Sequence, residues 1–270
     1  MGAPLGLIAG KGELPALAIG LRAAKKEPVV VVTFDKESYE RLLALKADMA
    51  QVNLVGLGQA SKIIKIFHQA GVAQVAFAGK VDKRVLYENP RFDLRALAIL
   101  KRAKPKNDDA IMRSIVQELE SEGMAVVSQL EMFRDLAPGR GKLARRKPKQ
   151  TEQADVEFGM KMAKGIAALD IGQTVVVKNG AVVAVEAIEG TDEAIARGGK
   201  IAKEGAVVCK VSKPAQDLRF DVPTVGTDTV ESMVRVGAST LAIEADMTMV
   251  VNMEETIRLC DLHKIAFVAV

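Results

Sequence analysis

Residues 29–34 read "VVVVTF". Successive side chains of a strand point to opposite faces, so four valines in a row cannot form a half-wet strand. Such a run belongs in a sheet covered on both faces. The covering layers must be helices, and the neighbouring sequence supplies them. "LGLIA" at 5–9 reads as a short buried strand, and "ALAIGLRAAKK" follows at helical spacing. "DMAQVNLV" holds a third strand. In "SKIIKIFHQAG", Ile63, Ile64, Phe67 and Ala70 share one helix face and Gly71 stops it. "VAQVAFAG" is a fourth strand, "DDAIMRSIVQELESEG" a helix and "MAVVSQ" another strand. Strand–helix alternation implies a parallel α/β sheet.

The pattern breaks at 139–149, "GRGKLARRKPK", which holds Arg140, Lys142, Arg145, Arg146, Lys147 and Lys149 and no acid. The chain's net charge is only +4, so the basicity is local. This segment reads as a solvated linker, or as a patch for an anionic membrane surface or substrate phosphates. After it, "TEQADVEFGMKMAKGIAALD" is a helix. "QTVVVKNGAVVAVEAI" is a hairpin turning at Asn179-Gly180. The second half thus starts antiparallel. With 270 residues the chain has room for two domains. The expectation is α/β: a Rossmann-like parallel-sheet domain over 1–136, a basic linker over 137–150 and a distinct α+β catalytic domain over 151–270.

Several function classes drop out. Aromatics are 4% and Trp is absent, and no basic stripe is interleaved with aromatics, so nucleic acid is not an expected partner. Cys209 and Cys260 sit in apolar runs and read as buried thiols. His68 and His263 lack partners at metal-ligand spacing. The N-terminal stretch shows no secretory pattern and no segment is apolar enough to span a bilayer, so a cytoplasmic protein is expected.

Four constellations carry chemistry. After the first strand, Gly10-Lys11-Gly12 opens a helix, the arrangement by which α/β sheets bind phosphates. Pro15 replaces the third glycine of the dinucleotide fingerprint. Asp35, after the second strand, could hold a ribose or cap a helix. Gly79 and Lys80 repeat the theme after a later strand. Asn107, Asp108 and Asp109 gather at a helix start, where capping explains one acid. Glu186, Glu189 and Asp192 lie three apart; strict alternation would set Val183, Val185 and Ala187 opposite Ala184, Glu186 and Ile188. Last, Lys213, Gln216, Asp217, Arg219 and Asp221 crowd a strand end. Lysine and arginine there suit phosphate, and the acids suit a metal or a water.

Taken in order, "LGLIAGKGELP", "FAGKV", "NDDA", "LDIGQTVVV", "VEAIEGTD" and "KPAQDLRFDVPTVG" resemble the LpxI family, the UDP-2,3-diacylglucosamine pyrophosphatases of lipid A biosynthesis. The resemblance implies Mg²⁺-dependent hydrolysis of a UDP-linked diacylated glucosamine to UMP and lipid X, with substrate between two domains. It implies a homodimer, and contact with the inner face of the cytoplasmic membrane follows from a lipid substrate. The family's catalytic aspartate lies in a DxPxxG motif, which here falls on Asp221. On this reading Lys213 and Arg219 clamp phosphates, although Arg219 and Asp217 could as well pair with each other and hold the loop's shape. Asp217, Glu186, Glu189 and Asp192 join Asp221 as metal ligands. Gly10, Lys11, Gly12, Gly79, Lys80, Asn107, Asp108, Asp109, Gln173, Thr191 and Gln216 contact substrate. The helix "FGMKMAKGIAAL" could line an acyl groove for such a substrate, but Met160 and Met162 within it read first as core residues. Lys11 departs from the small residue usual between the glycines, and the stretch after "GTD" is short. The alternatives from the residues alone are a dinucleotide-binding reductase resting on Asp35, and a non-enzymatic scaffold resting on the basic segment.

Overall fold

The computed structural model describes residues 3–81, 91–103 and 108–270. The chain divides into two compact units, Met1–Met132 and Phe133–Val270.

In the first unit the strands β1 (Leu5–Ala9), β2 (Val29–Thr33), β3 (Ala50–Leu54), β4 (Gln74–Ala78) and β5 (Ala125–Val126) form a parallel sheet in the order β3-β2-β1-β4-β5. Both β1 and β2 are buried along their whole length, as the valine run requires. The helices are α1 (Leu14–Ala24), α2 (Lys36–Leu43), α3 (Ala60–Gln69), α4 (Leu94–Arg102), α5 (Asp108–Ser121) and the short α6 (Gln129–Met132). Pro15 falls in the first turn of α1, where a missing N–H costs nothing. Ile64 and Phe67 are the buried face of α3. His68 is tied on the surface to Glu122 at 2.8 Å.

The second unit is built on a mixed sheet ordered β6-β13-β11-β9-β7-β8. Its strands are β6 (Gly141–Lys142), β7 (Thr174–Lys178), β8 (Ala181–Val185), β9 (Val207–Lys210), β11 (Thr240–Ile243) and β13 (Ala266–Ala269). Here β9, β11 and β13 run parallel, whereas β7 is antiparallel to β9 and β8, and β6 is antiparallel to β13. A small parallel pair, β10 (Thr224–Val225) and β12 (Met249–Val250), stands apart from it. Helix α7 (Gln150–Ala168) covers one face; a Cβ at Gly159 would come within 2.5 Å of Cys209 Sγ, so only glycine lets the helix sit this close. The other face carries α8 (Thr191–Ala202), α9 (Thr227–Arg235) and α10 (Met253–Leu262) over a core of Val176, Val208, Met233, Leu241, Cys260 and Phe267. Both cysteines are free and fully buried. Burial pushes both thiols up, Cys260 to about 12.

Two local expectations change. The basic segment is no linker. It forms β6, buries Ala144 and anchors Arg146, whose guanidinium donates to Glu152 at 2.6 and 2.7 Å and to the Ser239 carbonyl at 3.0 Å. Burial pushes the Glu152 carboxyl up, but Arg146 and the Lys149 N–H outweigh it and hold it below its usual range. The Asn179-Gly180 turn forms with both residues at positive φ, and Asp155 accepts from both N–H groups at 2.9 and 2.6 Å. Strict alternation in β8 fails, however. The register shifts so that Val176 faces Ala184 and Val177 faces Val182, leaving Val183 as a bulge. Met160 and Met162 pack against the core cluster under α7, in keeping with their reading as core residues.

Candidate active site

In the first unit the strand order reverses between β1 and β4, and ligands of open α/β sheets sit outside the carboxyl ends at such a point. Gly10, Lys11, Gly12, Gly79 and Lys80 lie there. Lys11 and Lys80 exchange backbone hydrogen bonds at 2.8 and 2.9 Å, locking the two strand exits together. That lock explains two glycines. A Cβ at Gly10 would lie 2.6 Å from the Lys80 carbonyl oxygen, and one on Gly79, at φ +84°, would strike the Lys11 carbonyl. Gly12 is different: at φ +98°, a Cβ placed on it would meet nothing within 4 Å, so its backbone is open to a phosphate. Lys11 reaches Glu37 at 3.8 Å.

Asp35 caps α2, accepting from the Ser38 N–H at 2.9 Å and its hydroxyl at 2.8 Å. Capping accounts for it, and the reductase alternative loses its ribose carboxylate. Asn107 lies outside the described residues. Asp108 opens α5, and Asp109 pairs along that helix with Arg113 at 3.5 Å.

The second unit gathers the larger constellation around the end of β9. Lys210 is buried and donates to Thr191 Oγ1 at 2.8 Å, and Thr191 in turn donates to Glu186 at 2.9 Å. The other Glu186 oxygen accepts from the Gln173 N–H at 3.3 Å. The Gln173 side chain donates to Gln216 at 3.1 Å. Gln216 accepts from the Lys213 N–H at 3.3 Å and donates to the Asp221 carbonyl at 3.1 Å, tying the two ends of the loop. Lys213 Nζ sits 2.7 Å from Asp170 and 3.8 Å from Asp221. Asp221 stands at φ +54° between buried Phe220 and Val222, with its carboxylate side chain 60% exposed. A non-glycine residue in this left-handed region is strained, and its buried neighbours hold it there.

Behind this loop Glu244, just past β11, accepts from the Ser212 N–H at 2.8 Å, the Ser212 hydroxyl at 2.6 Å and Lys164 at 2.7 Å. Burial raises the Glu244 carboxyl, but Lys164 and Ser212 overcome it and hold it below the usual range. Ser212 precedes Lys213, so Glu244 fixes the point from which that lysine leaves the sheet.

The metal set expected from the sequence does not converge. Asp217 forms a two-pronged pair with Arg219, at 2.9 and 2.7 Å, and also accepts the Arg219 N–H. These two residues shape the loop. Glu189 pairs with Arg197, and Asp192 accepts from Ser232 at 3.1 Å. Among the described residues no three His, Cys, Asp or Glu side chains are placed to hold a metal. Mg²⁺, however, keeps waters and binds proteins through one or two carboxylates plus phosphate. Asp170 and Asp221, both against Lys213 and both reaching solvent, fit such a shared site; a site built from protein ligands alone does not fit. Asp170, Lys210, Lys164 and Glu244 escaped the sequence reading. Of these only Asp170 gave a signal, as an acid within "LDIGQTVVV".

The LpxI N-terminal domain matches residues 4–136 and the LpxI C-terminal domain matches residues 139–268. The chain belongs to the LpxI family. A curated LpxI relative, "UDP-2,3-diacylglucosamine pyrophosphatase LpxI" of Caulobacter vibrioides (strain ATCC 19089 / CIP 103742 / CB 15), is 35% identical over 271 residues, covering 95% of this chain and 94% of that protein. Solved structures are only loosely alike. The biotin carboxylase domain of a thermophilic 2-oxoglutarate carboxylase bound to ADP gives a TM-score of 0.28 at 15% identity, over 65% of this chain and 35% of that one. The ADP complex of N5-carboxyaminoimidazole ribonucleotide synthetase gives 0.25 at 15% identity, over 72% and 43%. Likeness at these scores carries no weight for the LpxI site. No helix among the described residues is long and apolar enough to cross a membrane.

Proposed function

We propose that the chain hydrolyses the pyrophosphate of UDP-2,3-diacylglucosamine to UMP and 2,3-diacylglucosamine 1-phosphate. The observation that carries this reading is Lys213, held between Asp170 and Asp221 at the end of β9, inside the segment that bears the family's DxPxxG motif. Pyrophosphate cleavage asks for a cation on the non-bridging oxygens and a carboxylate at the attacking water. Lys213 and Asp221 meet both demands. Water adds through oxygen to one phosphorus, the bridging P–O bond breaks, and its electron pair leaves on the released phosphate. The Asp221 carboxylate takes the water's proton and passes it to that phosphate or to solvent. Asp170 and Asp221 would hold Mg²⁺ jointly with the substrate, where it would offset the negative charge of the pyrophosphate. Gln216 and Glu244 keep Lys213 in place.

The test is release of UMP from UDP-2,3-diacylglucosamine in the presence of Mg²⁺. The wild type should turn over, and Asp221→Ala should lose roughly 10²–10³-fold or more in kcat while melting normally. No UMP above a no-enzyme control, from folded protein, overturns the function. Full activity in Asp221→Ala overturns the site. The same reading carries a cytoplasmic homodimer that touches the inner face of the membrane through exposed Arg140, Lys142 and Arg145. Light scattering and sedimentation with anionic vesicles check these two points.

A further inference from the structure

The strand β9 ends at Lys210. Two backbone bonds continue its ladder, from the Val211 N–H to the Gln173 carbonyl at 3.0 Å and from the Glu244 N–H to the Lys210 carbonyl at 3.1 Å. The next residue, Ser212, is 1% exposed, so its backbone groups need partners other than bulk water. A side-chain ion pair supplies them. Glu244 accepts from the Ser212 N–H and hydroxyl, and Lys164 donates to the Ser212 carbonyl at 3.0 Å and to its hydroxyl oxygen at 3.2 Å. Lys164 and Glu244 close the set on each other at 2.6 Å. The pair thus takes the place of a neighbouring strand for one residue beyond the sheet. Its partners come from separate layers, Lys164 from α7 and Glu244 from the exit of β11. Gly159, earlier in α7, lets that helix lie close on Cys209, which brings the Lys164 amine within reach of the strand end.

Ser212 is followed by Lys213 and Pro214. A residue before proline is kept out of helical backbone. With Ser212 clamped on one side and Pro214 on the other, the Lys213 backbone has little freedom, and its amine arrives 2.7 Å from Asp170. A buried ion pair is a poor device for stability alone, because desolvation offsets much of its attraction. It is a good device for direction, because each charge demands its partners at fixed places. We propose that Lys164 is a positioning residue for the hydrolysis: with Glu244 it holds Ser212, and through Ser212 it aims the Lys213 amine at the pyrophosphate. The inference rests on the hydrolase reading and extends its machinery to α7.

Lys164→Met removes the ammonium and keeps most of the side chain's length. It is compared with Lys164→Arg, Lys213→Ala and the double variant Lys164→Met/Lys213→Ala, following UMP release from UDP-2,3-diacylglucosamine and melting in each. Lys164→Met should lower kcat roughly tenfold or more with KM within about threefold, since a misplaced group costs most in the transition state. Lys164→Arg keeps the charge and the donors and should recover most of that loss. The double variant decides. Because Lys164 acts through Lys213, Lys164→Met should change the kcat of Lys213→Ala by less than about twofold. Arg146→Met breaks the ion pair with Glu152 in the first turn of α7, and should lower the melting temperature with kcat unchanged. A wild type that releases no UMP removes the hydrolase reading and this one with it. A wild type that turns over, with kcat unmoved in Lys164→Met, removes the positioning role alone. So does full multiplication of the two losses in the double variant, or an Arg146→Met loss in kcat equal to that of Lys164→Met, since either would mark a general effect on the fold. If Lys164→Met does not fold, Lys164→Gln, which keeps a donor for the Ser212 carbonyl, takes its place in the same cycle with the same deciding outcomes.

Discussion

Glu244→Ala should loosen the second unit and, through it, the active-site lysine. The carboxylate accepts three donors: the Ser212 N–H, the Ser212 hydroxyl and Lys164 Nζ. Ser212 is 1% exposed, so water cannot replace the lost acceptor. The stranded N–H costs about 1–3 kcal/mol. The hydroxyl can rotate to another acceptor and adds about 1 kcal/mol. Lys164 is more than a third exposed and can turn to solvent, so its pair counts at the surface value of about 0–1 kcal/mol. The sum is about 2–5 kcal/mol, or roughly 5–20 °C in the melting of this unit. Glu244→Gln keeps an acceptor for the N–H and should lose about half as much. The pH dependence has a definite sign. The folded-state carboxyl lies below its ordinary value, so its contribution is complete above the unfolded pKa and fades as pH falls through the folded one. The gap between wild type and Glu244→Gln should therefore be full at pH 7 and should narrow as pH falls below the ordinary glutamate value of about 4.3. Scanning calorimetry across pH 3–7 reads both. An alanine variant that melts within about 1 °C of wild type would refute the reasoning, as would a gap that stays constant down to pH 3.

Gly10→Ala should destabilise the first unit by at least about 2 kcal/mol, because its Cβ meets backbone rather than a movable side chain; urea unfolding measures it. Gly12→Ala has open space and should cost only the roughly 1 kcal/mol of its positive φ, so a larger drop in turnover than in stability would mark Gly12 as a ligand contact. A double-mutant cycle on Asp217 and Arg219 should return a coupling of about 1 kcal/mol or more, since the pair is two-pronged and partly buried. The native protein should be silent to a thiol reagent and react only on unfolding, because burial raises both thiols.

What the sequence made legible was local. Four valines demanded a doubly covered strand, and β2 is one. Asn179-Gly180 demanded a tight hairpin, and it turns there with both residues at positive φ. The loop 210–226 announced itself because polar side chains crowded a strand end. Pairing across distance was not legible. Arg146 looked like one cation in a solvated run until Glu152 and Ser239 were seen to bracket it. Asp217 and Arg219, two residues apart, could be a ligand and a clamp or a pair that holds the loop's shape, and the structure pairs them. Lys210 is buried, and its partner Thr191 comes from a different element that the strand's own sequence does not point to. The bulge at Val183 was likewise not announced by the alternation of the run "VVAVEAI".

The two-residue strand β6 also bears on how the protein avoids itself. It pairs with β13, whose sequence "AFVA" is wholly apolar and would otherwise end the sheet with unfilled donors and acceptors. An open apolar border of that kind is a template for a strand from another molecule. Gly141 and Lys142 occupy it with a short, cationic ribbon too small to recruit a successor. The charge that made this segment look like a spacer is thus what makes it a sound border. A fragment begun at residue 151 would leave that border bare and should precipitate, whereas one begun at residue 133 would carry its own guard.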